Sequence, residues 1–383
     1  MNDLSFRTAF VFLSLALAAC SAGNAPAEGA AGPDFPAGPR VPSLEPGSSA
    51  TAPPPLADAG SSQEAGPRDA ASPGPEAAAP RSPRERVLAL FSGISGTKTL
   101  AAQHNKFNGT PSSASDWVAA RTGKRAAFWS ADFGFGSDQV DQRARMVAEA
   151  KRQWADGAVV QIMYHACSPT RDEYCSWDDV GGARPAHLSD AQWSELVTEG
   201  TALNRAWKTR LDTLAVFLGD LQASGVAPLF RPLHEMNQGV FWWGGRKGAN
   251  GTRRLWRITY DYLVRTKGLT GLVWVWDIQD FASLRTDVVD YDPGSDTYDI
   301  AALDVYDGGY AAWKYDAMRS IPGGKPIAIG ECQQVPTPAE LAAQPAWTFF
   351  MLWPDFLDAN AQALQTAYRD PRVVTLAQMP GWR

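Results

Sequence analysis

Along most of the chain, short apolar runs alternate with longer stretches whose apolar residues recur every three or four positions. The short runs are rich in β-branched and aromatic residues. They occupy 97–103 (TKTLAAQ), 126–132 (AAFWSAD), 158–164 (AVVQIMY), 227–233 (APLFRPL), 271–277 (GLVWVWD), 300–306 (IAALDVY), 325–330 (KPIAIG) and 346–353 (AWTFFMLW). Each has the length and composition of a buried strand. Between them, 137–154 and 255–267 carry helical spacing, and 189–224 is long enough for two helices. Eight strand-like runs joined by helical crossovers predict a (β/α)8 TIM barrel, the α/β class closed into a ring. A doubly wound sheet has the same local pattern and stays open as the alternative. The absence of a G-x-G-x-x-G or Walker-type loop argues against a nucleotide enzyme.

The N-terminal part of the chain follows neither rhythm. Arg7 precedes an apolar run, 9–19, too short to span a bilayer as a helix. The run ends Leu17-Ala18-Ala19-Cys20, similar to the lipobox of bacterial lipoproteins, in which the cysteine becomes the acylated first residue. An ordinary signal peptide cleaved nearby is the alternative. Both predict export, with residues 1–20 as the signal segment, and acylation of Cys20 predicts membrane attachment at an outer-membrane or cell surface. Residues 21–81 hold 13 of the 28 prolines, much Ala, Gly and Ser, and no Trp or Tyr. Such a composition buries too little apolar surface to offset its ordering entropy, which predicts a disordered linker. The catalytic domain is then expected at 82–383.

Composition narrows the function. A formal charge of −6 over 383 residues, most of it in the linker, argues against nucleic acid as a partner. All 15 Trp lie between Trp117 and Trp382. Because a buried indole needs a partner for its N–H, this abundance suggests flat platforms for sugar rings, with about a third facing a cleft and the rest packing the core. Export exposes the cysteines to oxidising conditions. Cys167 and Cys175 are near enough in sequence to close a short disulfide loop, and Cys332 reads as a small buried residue.

Candidate chemistry gathers at the C-terminal ends of the runs, where barrel enzymes carry their active sites. In chain order the ends are Gln103-His104-Asn105, Asp132, His165, His234-Glu235 with Arg231 inside the run, Trp276-Asp277, Asp304-Val305-Tyr306, Glu331 and Trp353. Cleavage of a glycosidic bond needs one carboxylic acid to protonate the leaving oxygen and one carboxylate on the far side of the sugar. Glu235 after run four and Glu331 after run seven face each other across an eight-stranded rim, within reach of the ~5–5.5 Å separation of a retaining mechanism. Arg231 can hold Glu331 ionised. Tyr306 can donate to Glu331, and His234 can bond a sugar hydroxyl or orient the nucleophile, or be a satisfied buried imidazole. Trp242 and Trp353 are candidate stacking platforms, whereas Trp243 reads as packing. His234-Glu235-Met236-Asn237-Gln238 begins like H-E-x-x-H but lacks the second histidine, so no metal is expected. No cofactor is expected either.

The string Arg231-Pro232-Leu233-His234-Glu235-Met236-Asn237, with Phe241-Trp242-Trp243-Gly244 after it, resembles glycoside hydrolase family 26, the β-mannanase family. The resemblance extends through Tyr291-Asp292-Pro293-Gly294, Asp299-Ile300, Asp304-Val305-Tyr306 and Gly330-Glu331, and spans nearly all of 97–353. It implies a (β/α)8 barrel, a retaining mechanism, Glu235 as acid/base and Glu331 as nucleophile. It also implies His165, Arg231, His234, Asp304 and Tyr306 around the cleaved sugar. The implied activity is endo-hydrolysis of β-1,4-mannan by a monomer. Val240 stands where the family usually carries an aromatic, so family members acting on β-1,3-xylan or mixed-linkage β-glucan are alternatives. A noncatalytic carbohydrate-binding protein would need the tryptophans but not two opposed glutamates.

Two outcomes test the N-terminal reading. A chain beginning at Ser82 should keep the activity and thermal stability of the full-length protein; loss of either would refute a linker. Cys20→Ser should shift the protein from the membrane to the soluble fraction on ultracentrifugation, and continued membrane attachment would refute acylation.

Overall fold

The computed structural model describes residues 81–177 and 187–381. The expected signal segment with Cys20, and nearly all of the stretch expected to be a linker, lie outside the described residues. Eight parallel strands close into a barrel: β1 (Thr99–His104), β2 (Phe128–Asp132), β3 (Val159–Tyr164), β4 (Leu229–Pro232), β5 (Val273–Gln279), β6 (Ile300–Val305), β7 (Ile327–Cys332) and β8 (Trp347–Leu352). Each pairs with the next, and β8 returns to β1. The doubly wound alternative is thereby excluded. Every residue of these strands is buried, as expected of strands covered on one face by helices and on the other by the barrel interior. Contacts between strands that are not neighbours cross that interior, such as Gln161 Nε2 of β3 to Met351 Sδ of β8 at 3.5 Å.

The outer helices are α1 (Pro83–Ile94), α2 (Ser113–Thr122), α3 (Ser137–Asp141), α4 (Arg143–Asp156), α5 (Asp190–Val197), α6 (Ala202–Ala223), α7 (Thr252–Asp261), α8 (Leu284–Asp290), α9 (Ala312–Arg319), α10 (Pro338–Ala343) and α11 (Ala361–Ala367). Their boundaries follow capping chemistry. Ser82, Ser189 and Thr337 each accept from the backbone N–H three residues on, while Glu85, Gln192 and Glu340 reach back to the cap. Gly157 ends α4 at φ 105°, a conformation that costs glycine little. The single helix expected over 137–154 is broken at Gln142. The stretch 189–224 divides into α5 and α6 at Thr198–Thr201, where Thr201 caps α6.

Two features were not expected. A two-residue strand, β9 (Val373–Val374), pairs in parallel with Thr99 and Leu100 of β1, before β1 takes up β2 at Ala102. It is too short to show as a run. Strand β7 also extends through Glu331 to Cys332, so Glu331 belongs to the strand rather than following it. The register of β6 against β7 shifts between Leu303 and Asp304, and the irregularity sets Asp304 opposite Glu331. Cys332 is buried and donates its thiol to the Met351 carbonyl at 3.4 Å.

Most tryptophans pack the shell between barrel and helices. Trp207, Trp243 and Trp256 are wholly buried, and their indoles donate to Thr259 Oγ1, the His234 carbonyl and Thr297 Oγ1. A disulfide joins Cys167 and Cys175 in the loop after β3, with Cα atoms 6.0 Å apart. Peptide mapping of the protein without reductant should recover these two cysteines in one linked species. Cys175→Ser should lower stability by about 2–3 kcal/mol, the chain-entropy value for so short a loop. Two free thiols at these positions would overturn the bridge.

Candidate active site

Arg231, near the end of β4, is wholly buried, and its position dictates much of the barrel mouth. Its Nη1 donates to Glu331 Oε1 at 2.7 Å, across the barrel on β7. Its Nη2 donates to Asp304 Oδ2 on β6 and lies 2.9 Å from Asp277 Oδ2 on β5. One guanidinium therefore meets three carboxylates from three strands. Burial opposes its charge, but Asp277, Asp304 and Glu331 outweigh burial and hold it well above the usual arginine range. A lysine has no planar fork with which to span such a set.

The second oxygen of Glu331 accepts from the Tyr306 hydroxyl at 2.6 Å. Burial, then the charges of Glu331, Asp304 and Glu235, push that phenol well above its ordinary range, so it stays a donor. The Tyr306 loop is fixed from below. Asp280 accepts from the backbone N–H of Tyr306 at 3.2 Å and of Asp307 at 3.1 Å. Lys314 of α9, itself buried, donates to Asp280 Oδ2 at 2.7 Å and to the Gly309 carbonyl at 2.9 Å.

Glu235 follows β4 on an unusual backbone. Leu233 and Glu235 have φ of 51° and 49°, a left-handed conformation rare for residues other than glycine and commonest where function demands it. The Glu235 backbone N–H donates to Asp277 Oδ1 at 3.0 Å, which helps to hold the turn. Burial raises the Glu235 carboxyl well above its normal range, with the charges of Glu331 and Asp277 adding to the effect. This is the condition for a carboxylic acid that still carries its proton near neutrality.

The remaining predicted residues form one wall. His165, after β3, is held by Asp132, which accepts from its backbone N–H at 3.1 Å and contacts its Nδ1. Burial alone would raise Asp132, but His165 outweighs it and the carboxyl stands at about 2. His234 packs edge-on against His165 at 4.3 Å, and burial followed by the charges of His165 and Arg231 keeps it neutral. Its Nδ1 is buried and has no hydrogen-bond partner among the described residues. Trp353 lies flat on His104 at 4.5 Å, so one face is already covered.

Trp242 requires correction. It is buried, packs edge-on against Trp207 and donates its indole N–H to the Ala166 carbonyl at 2.8 Å. It offers no face to a sugar. Phe241 does not supply the missing platform either, because it stacks on Trp243 at 4.4 Å. The indole at the mouth is instead Trp177, half-buried beside Phe135, His165 and Phe241, with an unpartnered Nε1. Trp177 carries no distinguishing signal in the sequence. Asp277 and Asp132 were visible as polar strand ends, but nothing local separated them from solvated ends. Lys314 reads as surface charge on a short helix.

Residues 78–376 match glycosyl hydrolase family 26. A mannan endo-1,4-beta-mannosidase of Thermothelomyces thermophilus is 31% identical over 310 residues, covering 76% of this chain and 60% of that protein. Mannan endo-1,4-beta-mannosidase A and B of Caldalkalibacillus mannanilyticus is 31% identical over 242 residues, covering 59% of this chain and 45% of that protein. The chain thus spans only about half of these relatives. Among solved structures, GH26A from a Muricauda species superposes with a TM-score of 0.73 at 35% identity, covering 78% of this chain and 98% of that one. The beta-mannanase of a symbiotic protist of the termite Reticulitermes speratus, complexed with gluco-manno-oligosaccharide, gives 0.68 at 25% identity, with coverages of 79% and 96%.

The carboxylate cluster leaves no room at Gly330, directly before Glu331. A Cβ there would sit 2.4 Å from Asp277 Oδ2, 2.6 Å from Asp304 Oδ1 and 3.1 Å from Ala302 Cβ. Gly330→Ala should therefore cost about 1–3 kcal/mol by overpacking and displace Arg231 from its partners. Thermal melts with parallel assays check this: an alanine variant of native stability and activity would contradict the described packing.

Proposed function

The chain belongs to glycosyl hydrolase family 26, and from that membership and the geometry above we propose that it is a retaining endo-glycosidase of β-1,4-mannan-type polysaccharides. The observation that carries this reading is the pairing of two glutamates in opposite settings. Glu235 is buried with a raised carboxyl and few stabilising charges, whereas Glu331 accepts from Arg231 and Tyr306 through its two oxygens. The first suits proton donation to a departing glycosidic oxygen, the second suits attack on the anomeric carbon.

In the first step Glu331 bonds to the anomeric carbon as the leaving oxygen takes the Glu235 proton. The Arg231 and Tyr306 hydrogen bonds orient the attacking oxygen and yield as its charge is transferred to the new ester. In the second step Glu235, now a carboxylate, removes a proton from water, which attacks the same carbon and releases Glu331. His165, His234 and Trp353 line the sugar in this account, with His234 kept neutral, while Asp304 lies buried beneath them as a partner of Arg231 and does not meet the sugar. The mannan assignment is supported by the names of the relatives at about 31% identity. Export as a Cys20-anchored lipoprotein completes the proposal and suits a polymer too large to enter a cell.

Hydrolysis of a panel of mannan, glucomannan, β-1,3-xylan and mixed-linkage glucan tests the substrate: mannan or glucomannan should be cut internally and fastest, and preference for either other polymer would overturn mannan. Glu331→Ala should abolish turnover of every substrate. Glu235→Ala should fail on polysaccharide yet give a first-step burst on an aryl glycoside with a good leaving group, and azide should restore turnover with a β-glycosyl azide as product. Azide rescue of Glu331→Ala with a retained β-glycosyl azide, or of Glu235→Ala with an inverted α-glycosyl azide, would exchange the two roles.

The pH dependence has a definite sign. Glu235 acts as an acid and its carboxyl is raised, so activity should persist through the ordinary carboxylate range and fall as pH rises through the raised value. The basic limb of kcat/KM should vanish for substrates whose departure needs no acid. Its persistence there would assign the limb to another group.

A further inference from the structure

Asp277 and Asp304 contribute no bond-making step to the reaction, yet both are wholly buried at the floor of the site. They come from adjacent strands and reach the same nitrogen, Nη2 of Arg231. Their other contacts are uneven. Asp277 Oδ1 accepts the Glu235 backbone N–H at 3.0 Å, and Asp304 Oδ2 accepts from Arg231. Asp277 Oδ2 and Asp304 Oδ1 have no well-aligned donor, although both are buried. Both oxygens close on one point above the Gly330 Cα, the missing methyl of which leaves the space they occupy.

Two buried carboxylate oxygens that converge on one point are unfavourable while both are ionised, because neither supplies a hydrogen and their charges repel. A proton on either one turns the repulsion into an O–H···O⁻ hydrogen bond of the strong, charge-assisted kind. Charge counting agrees. The groups facing the pair are Arg231 and Glu235 from β4 and its turn, Glu331 from β7, and Tyr306 beyond β6; among these described residues Arg231 is the one cation, against as many as four carboxylates. Burial raises both aspartates, Asp277 to about 6 and Asp304 well above the usual aspartate range.

We propose that Asp277 and Asp304 share one proton in the resting enzyme and act as a single monoanionic positioning pair, fixing Arg231 against Glu331 and, through Asp277, the strained turn that carries Glu235. The pair limits the negative charge beneath the sugar while keeping a full guanidinium for Glu331. Its catalytic consequence rests on the roles proposed above for Glu235 and Glu331; the shared proton itself is detectable without substrate.

The first test is infrared spectroscopy of resting protein with ¹³C at the aspartate carboxyls only, which separates this pair from Glu235. At neutral pH a ¹³C-shifted carbonyl band of a protonated acid should be present, and it should disappear in both Asp277→Asn and Asp304→Asn. A wild-type protein with every aspartate ionised at neutral pH would overturn the proposal, whatever the enzyme hydrolyses. The second test is kinetic. Asn mimics a protonated Asp, so each single Asn variant, confirmed folded by its melt, should keep kcat within about tenfold of wild type. The double variant removes the anion as well and should lose at least a hundredfold in kcat, far more than the two single losses combined, with KM changed little. Single Asn variants as impaired as the double variant, or losses that simply multiply, would show two independent structural aspartates instead.

Discussion

A single buried guanidinium constrains this barrel more than any other group. Arg231 cannot lose its proton and cannot be solvated where it lies, so the surrounding strands must supply anions. They do so from β5, β6 and β7, and those anions determine what the neighbouring positions can be. Residue 330 must be glycine to admit Asp277 and Asp304. The register shift between Leu303 and Asp304 brings Asp304 level with Glu331. Glu235 must sit on a left-handed backbone to bring its N–H to Asp277. Removal of the arginine would leave uncompensated charge in the floor of the site rather than merely delete a contact.

The same charges give the two glutamates different surroundings. They are chemically identical residues in one cleft, and only their surroundings differ. Glu331 accepts from a guanidinium and a phenol, while Glu235 is surrounded by burial and by negative charge that no cation of its own offsets. A second buried ion pair, Lys314 with Asp280, supports the Tyr306 loop and so maintains one of the two donors to Glu331. The reaction geometry is thus set on rigid strand ends and braced from the helical layer, with histidines and aromatic rings forming the opposite wall.

Much of this was legible in the sequence, for physical reasons that also mark where legibility ended. Eight buried strands announce themselves through apolar runs, and their polar ends mark the rim, which is how Glu235, Glu331, Arg231, His165 and Tyr306 were found. Glu331 reads as one step past a run that ends at Gly330, whereas the strand continues through both and Gly330 is a packing requirement of the acids around it. The tryptophans misled: a hydrophobic platform and a core side chain share one residue type, so Trp242 was taken for a sugar contact although its indole is bonded to Ala166. Strand β9 has two residues and no period to detect. Lys314 and Asp280 gain their roles only from a pairing between β5 and α9 that no local pattern encodes.

The central claim is that Glu235 holds its proton because it is buried beside the charge of Glu331. The direct measurement is a ¹³C NMR titration of the substrate-free protein labelled at the glutamate carboxyls, with Glu235 assigned by its loss in Glu235→Gln. The account predicts a Glu235 midpoint well above the ordinary glutamate range, moving down in Glu331→Gln because a neutral amide removes the repelling charge. A midpoint in the ordinary range, or one that Glu331→Gln leaves unmoved, would contradict it.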